Sequence, residues 1–285
     1  MKKFALILST YLISILVISC SDELSSVDAI NTQEAGIETN IESVFEDIDG
    51  LLSNMIFIGD AGFSSRTEGL DDRFCQTTSV VLNNKVKSNL DTLLIDFGST
   101  GCTDPKGNVR KGKIIMTFVG DRKLAHNTTF DNFYFNEKKI EGTKSMELTS
   151  LIPPTFLIKL IDGKVTWPDG TYATRQATHS RVMEVNVQQP SNSAFYIKKG
   201  GIASGVNRDS KQYSNEITKD LVFKRSCMEP PLKIFIPVEG TKTISVTNAE
   251  GVKKVINIDF GDGTCDNKIL VTVDGKTREV TVGKD

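Results

Sequence analysis

From about residue 112 onward, apolar and polar side chains alternate with period two, and short turn signals break the alternation. Ile114, Met116 and Phe118 alternate with Lys113, Ile115 and Thr117. Leu232, Ile234, Ile236 and Val238 repeat the pattern, as do Ile256, Ile258 and Phe260, then Ile269, Val271 and Val273. This is the period of a half-buried strand. The punctuation is Asp162-Gly163, Asp169-Gly170, Glu239-Gly240, Glu250-Gly251 and Asp274-Gly275. Strands joined by such short connections must be antiparallel neighbours, because a parallel pair needs a long crossover. The reading is a mainly all-β fold, a long antiparallel meander forming a sheet, a sandwich or a partly open barrel. Its body spans 40–285, with two halves, 40–150 and 151–285, as one possible division.

One segment has a different period. Ile41, Val44, Phe45, Ile48, Leu51, Leu52 and Met55 recur at helical spacing, with Asn40 placed to cap the first turn and acidic residues following it. An amphipathic helix is expected over 41–55, packed on the body despite Gly50. Its face carries no basic residues, so a core role is preferred to a membrane-surface one.

Beyond Cys20 four cysteines remain, Cys75, Cys102, Cys227 and Cys265, and four allow three pairings. An internal similarity selects one. Asp96-Phe97-Gly98-Ser99-Thr100-Gly101-Cys102 echoes Asp259-Phe260-Gly261-Asp262-Gly263-Thr264-Cys265, and Arg73-Phe74-Cys75 and Arg225-Ser226-Cys227 precede the two copies. The expected disulfides are Cys75–Cys102 and Cys227–Cys265. No close Cys-x-x-Cys pair favours zinc. Asp259, Asp262, Asp266 and Asn267 bring oxygen donors together in a calcium-like way. Ser99 replaces Asp262 in the first copy, so a turn in which these side chains cap backbone amides is the preferred reading.

The N-terminus sets the address. Met1-Lys2-Lys3 is followed by an uncharged run from Phe4 to Ser19 and then Cys20, a signal-peptide pattern. Val17-Ile18-Ser19-Cys20 resembles the lipobox of bacterial lipoproteins. The resemblance implies cleavage after residue 19, acylation of Cys20 and anchoring in a membrane, with residues 20–39 as a flexible tether. Ser21-Asp22-Glu23-Leu24 resembles the surface-export signal of Bacteroidota lipoproteins. The chain as a whole resembles uncharacterised β-rich outer-membrane lipoproteins of that group carrying an Asp-Phe-Gly-Asp-Gly-x-Cys-Asp type segment. The expected location is the outer membrane, on its surface or facing the periplasm.

Removing residues 1–19 takes away Lys2 and Lys3 and moves the net charge from −2 to −4, which gives no basic surface for nucleic acid. No cofactor motif is present. His126 and His179 are the only histidines; they read as solvent-facing strand residues rather than catalytic bases. Thirty-six acidic residues offer too many carboxylate pairs for any one to be informative. Trp167, before a turn, is a candidate ligand contact but more simply caps the core. Lys198-Lys199-Gly200-Gly201 with Arg208 and Lys211 reads as a solvated basic turn. The expected role is a non-catalytic binding or structural module of the envelope, with a protein or glycan partner. A carrier enclosing an apolar ligand behind the aromatics of residues 130–213 ranks second, and a polymer hydrolase third.

Overall fold

In the computed structural model the described residues are 38, 41–52, 73–83, 91–105, 107–119, 124–183, 194–228 and 236–282. The first element is the helix α1 (residues 41–52), and Glu38 ahead of it is also helical. Then come β1 (Ser79–Asn83), β2 (Thr92–Asp96), β3 (Cys102–Thr103), β4 (Val109–Val119), β5 (Ala125–Phe135), β6 (Lys138–Leu151) and β7 (Pro154–Thr166). They are followed by β8 (Tyr172–Val182), β9 (Ala194–Val206), β10 (Gln212–Lys224) and a single turn of helix, α2 (Arg225–Met228). The chain closes with β11 (Glu239–Thr247), β12 (Lys253–Asp262), β13 (Lys268–Val273) and β14 (Lys276–Thr281).

All 14 strands belong to one antiparallel sheet that runs in chain order from β1 to β14, except that β3 pairs off the path with β4. The meander is an open sheet, not a closed barrel, and β1 and β14 are its ends. It passes through residue 150 without interruption, in the β6–β7 pairing. The apolar core instead divides farther along, into one cluster that ends at Ala173 and Ala177 on β8 and another that begins at Tyr213 on β10.

Period two sets the two faces. On the inner face, one row joins Met116, Thr128, Lys144, Leu160, Ala177, Ala203, Asn215, Ile244, Ile256 and Val273 across ten strands by direct pairing. α1 lies against this face. Ile41, Val44, Phe45, Ile48, Leu51 and Leu52 are each at most 4% exposed within the first cluster. Each fully buried side chain of this kind is worth about 1.5–3 kcal/mol, so the helix is a fixed part of the core. Met55 and Asn40 lie outside the described residues. Glu38, on the tether side of the expected boundary at residue 40, is helical and buried. A Cβ at Gly50 would stand 2.4 Å from Nη1 of Arg73, the movable end of a long side chain.

The two Asp-Phe-Gly copies fold alike. Asp96 Oδ1 accepts from Gly98 N at 2.8 Å, and Asp259 Oδ1 accepts from Gly261 N at 2.9 Å. Phe97 lies in the first cluster and Phe260 in the second. Beside each copy a disulfide forms as expected, Cys75–Cys102 and Cys227–Cys265.

Several local expectations are corrected. Asp162-Gly163 and Glu239-Gly240 are not hairpin turns: both fall at register shifts within pairings of β7 and β11. There an extra residue bends a long strand instead of reversing it. Asp169-Gly170, Glu250-Gly251 and Asp274-Gly275 do turn the chain. Ile236 and Val238 lie in bends before β11, with Val238 N bonded to Val222 O at 2.9 Å; Leu232 and Ile234 lie outside the described residues.

Candidate functional site

Among the described residues the inner face carries six buried basic side chains: Arg110, Lys144, Arg175, Arg181, Lys198 and Lys242. Each stands on a strand at an inward position, and all but Arg110 pair with the carboxylates of Glu38 and α1. Lys242 Nζ lies 2.7 Å from both Glu38 Oε2 and Glu42 Oε2, and Arg175 also pairs with Glu38. Lys198 donates to Glu42 and, at 2.8 Å, to Glu46. Arg181 reaches Glu46 at 2.9 Å and Asp49 at 3.1 Å, while Lys144 pairs with Asp49 and donates to Phe45 O at 3.0 Å. Arg110 bridges Asp47 at 2.6 Å and the buried Asp104. Glu38, Glu42, Glu46 and Asp49 follow one another at spacings of four, four and three, which places them on one stripe of the helix.

The electrostatics follow from this pairing. Burial alone would raise the carboxyl pKa of Glu46, but Lys198 and Arg181 outweigh it and hold the group well below the usual range. Glu42 and Glu38 behave in the same way, through Lys198 and Lys242 respectively. Burial pulls the Lys198 and Lys242 ammonium groups down, and the facing glutamates more than restore them. For Lys144 burial wins over Asp49 and its pKa is lowered. The network therefore consists of charges already satisfied by one another. Its chemical capacity is to fix the register and rotation of α1, not to transfer a proton.

Both histidines differ from expectation. His126 and His179 are 4% and 8% exposed and point to the inner face, not to solvent. Burial, then Lys144, lowers His126 to about 4. Burial and Lys198 push His179 well below its ordinary value. Neutral imidazoles suit an interior crowded with ammonium and guanidinium groups. Glu46, Asp49 and His179 stand close enough to share a metal ion. However, Arg181, Lys198 and Lys144 already occupy those carboxylates, and three cations at hydrogen-bond range oppose a fourth. Lys198 is likewise buried, not part of a solvated turn; Lys199 is exposed, 3.7 Å from Asp220.

The other sequence candidates are dispersed. Trp167 packs half-buried against the first cluster, with the Arg208 guanidinium 4.8 Å above its ring. Asp262 accepts from Thr264 N and Oγ1, and Asp266 from Lys268 N at 3.0 Å. Asp259, Asp262 and Asp266 thus spend an oxygen on backbone amides, as in turns; Asn267 has a φ of 57°. Cys20 lies outside the described residues. Phe130 and Phe133 stack with centroids 5.7 Å apart within the packed core, and the voids beside α1 measure about 20 and 10 Å³, of the order of one water. α1 fills the space against the first cluster.

The opposite, outer face carries an open trough of about 440 Å³ across β8 to β12, within the size range of ligand pockets. Two rows of side chains floor it. Gln176, Ser204, Ser214 and Ser245 pair in register on four successive strands. Beside them run Thr178, Ile202, Glu216 and Thr243, continued by Asn257, Thr272 and Thr277 to the end of the sheet. Thr243 Oγ1 donates to Asn257 Oδ1 at 2.8 Å, and the Thr272 and Thr277 hydroxyls are 2.8 Å apart. Among the described residues, Gln176, Thr178, Ser204, Ser214 and Ser245 commit no side-chain hydrogen bond to the protein. Ile202, in the middle, is 66% exposed. The sequence reading missed both this surface and the acidic stripe. The stripe had a signal in its spacing; the trough arises only when five strands come into register. Comparison with family models, curated proteins and solved structures returned no match to this chain.

Proposed function

We propose that this chain is a lipid-anchored, non-catalytic binding module of the bacterial outer membrane, held by Cys20 and presenting the outer face of its sheet to an envelope partner. The observation that carries the reading is the contrast between the faces. α1 packs on the inner face in the first core cluster and its ion pairs reach as far as β11, whereas the outer face offers an open trough with uncommitted hydrogen-bonding groups. The lipobox-like Val17-Ile18-Ser19-Cys20 supports the anchor. The two disulfides fit an oxidising compartment outside the cytoplasm.

A photo-crosslinking residue at position 204, in the trough, tests the reading in intact cells, with one at position 276 on β14 as a control. The reading expects an adduct from 204 that is absent from 276, and release of the chain from the membrane fraction by Cys20→Ser. Equal labelling at the two positions, or a Cys20→Ser chain that stays in the membrane, would overturn it.

A further inference from the structure

We infer that the outer trough takes a neutral polysaccharide lying across the strands, a reading that rests on the outer face being the binding surface. Three features point to this class. First, the row Ser204, Ser214 and Ser245 offers one hydroxyl per strand, at the strand spacing of about 4.8 Å. A pyranose unit is comparable in length, so successive sugars meet successive strands without a change of register. Second, hydroxyl groups both donate and accept, which matches a ligand whose every unit presents hydroxyls of either sense. These side chains hold no bond within the described protein that binding would have to break. Third, the trough has one Glu216 and one Lys253, so it has no net charge with which to select a polyanion. Ile202, exposed within the second row, gives an apolar rest for the C–H face of a ring.

The surface also accounts for what it lacks. Among the described residues no aromatic side chain lines the trough, so stacking contributes nothing there. Affinity must come from several units bound along one row, and it should therefore rise with polymer length. A protein partner would instead be expected to seek an apolar or charged anchor, and Ile202 is the one apolar side chain of size in the trough.

The test uses the full lipidated protein in detergent micelles. Its probes are the polysaccharide fraction of the producing cells, freed of protein by protease, immobilised neutral β-glucan and mannan, and the anionic polygalacturonate. Retention by a neutral polymer, little changed between 50 and 500 mM salt and weakened at least tenfold by Ser204→Trp, is the expected result. The triple variant Thr178→Val/Ser204→Ala/Ser214→Ala checks the same point without bulk. All three positions lie on the outer face, so thermal melts of both variants should match the parent. Preference for polygalacturonate with loss of binding in high salt would overturn the inference, as would retention untouched by either variant. If no neutral polymer is retained while position 204 crosslinks to a protein in cells, the saccharide class fails and the outer-face reading stands. If neither is seen, both fail.

Discussion

The ammonium of Lys242 lies 2.7 Å from the carboxylate of Glu38, 204 positions earlier in the chain. The bond ties the start of α1 to the eleventh strand, and Arg175 and Asn215 close on the same glutamate. Removing Lys242 leaves two buried glutamates, Glu38 and Glu42, short of a cation, an imbalance of the kind that costs about 3–5 kcal/mol. Lys242→Met should lower unfolding stability by that order in urea titrations, and adding Glu38→Gln should restore part of it. A Lys242→Met loss under about 1 kcal/mol would show that water reaches the pair.

Acid should weaken the fold in two stages. His126 is depressed from 6.5 to about 4, so the unfolded chain takes up a proton before the folded chain does. Stability present above pH 6.5 is therefore lost as pH falls toward 4, by about 3 kcal/mol from this residue. Glu42 and Glu46, also depressed, extend the loss below their ordinary value of 4.5. His126→Leu should flatten the pH 7 to 4 limb in chemical denaturation. An unchanged slope would place the imidazole in contact with water.

The two disulfides close loops of 27 and 38 positions, which the chain-entropy estimate values at about 3.5 and 4 kcal/mol. Cys102 packs against the first cluster, whereas Cys227 and Cys265 form a small separate cluster with Val238, so the losses from Cys75→Ser/Cys102→Ser and from Cys227→Ser/Cys265→Ser should add. A combined loss far from the sum would mean that the clusters unfold as one coupled unit.

Gly112 sits in a bulge of β4 with φ +80°, and a Cβ there would stand 1.9 Å from Asn132 O. Gly251, in the β11–β12 turn, has φ +79° and open space. Both alanine variants bear the left-handed backbone cost of about 1–2 kcal/mol, but only Gly112→Ala also meets backbone. It should melt well below Gly251→Ala. Equal melting temperatures would contradict the bulge.

Much of the architecture was legible in the residues. Ile114, Met116 and Phe118 mark an inner face by alternation alone, and the Asp-Phe-Gly copies pair the cysteines. What resisted was polarity in the wrong place. Lys242 keeps phase with Ile244 and Val246, and Arg175 with Ala173 and Ala177, but charged strand residues are so often exposed that phase was discounted. The Glu38, Glu42, Glu46 and Asp49 stripe reads as a solvated helix face until five inward cations are seen opposite it. Asp162-Gly163 shows another limit. The same dipeptide makes a turn or a bulge according to whether the flanking residues continue the pairing, which is a property of the neighbouring strand.

The central claim is that α1 is a permanent part of the inner face, leaving only the outer face for a partner. Amide hydrogen exchange of the full protein tests it most directly. The account predicts that residues 41–52 exchange as slowly as Ile256 and Ile258 on β12, through global unfolding alone. Exchange of the helix well ahead of those strands, or its speeding by polyanions, would show that it leaves its seat and would make the cationic inner face the binding surface instead.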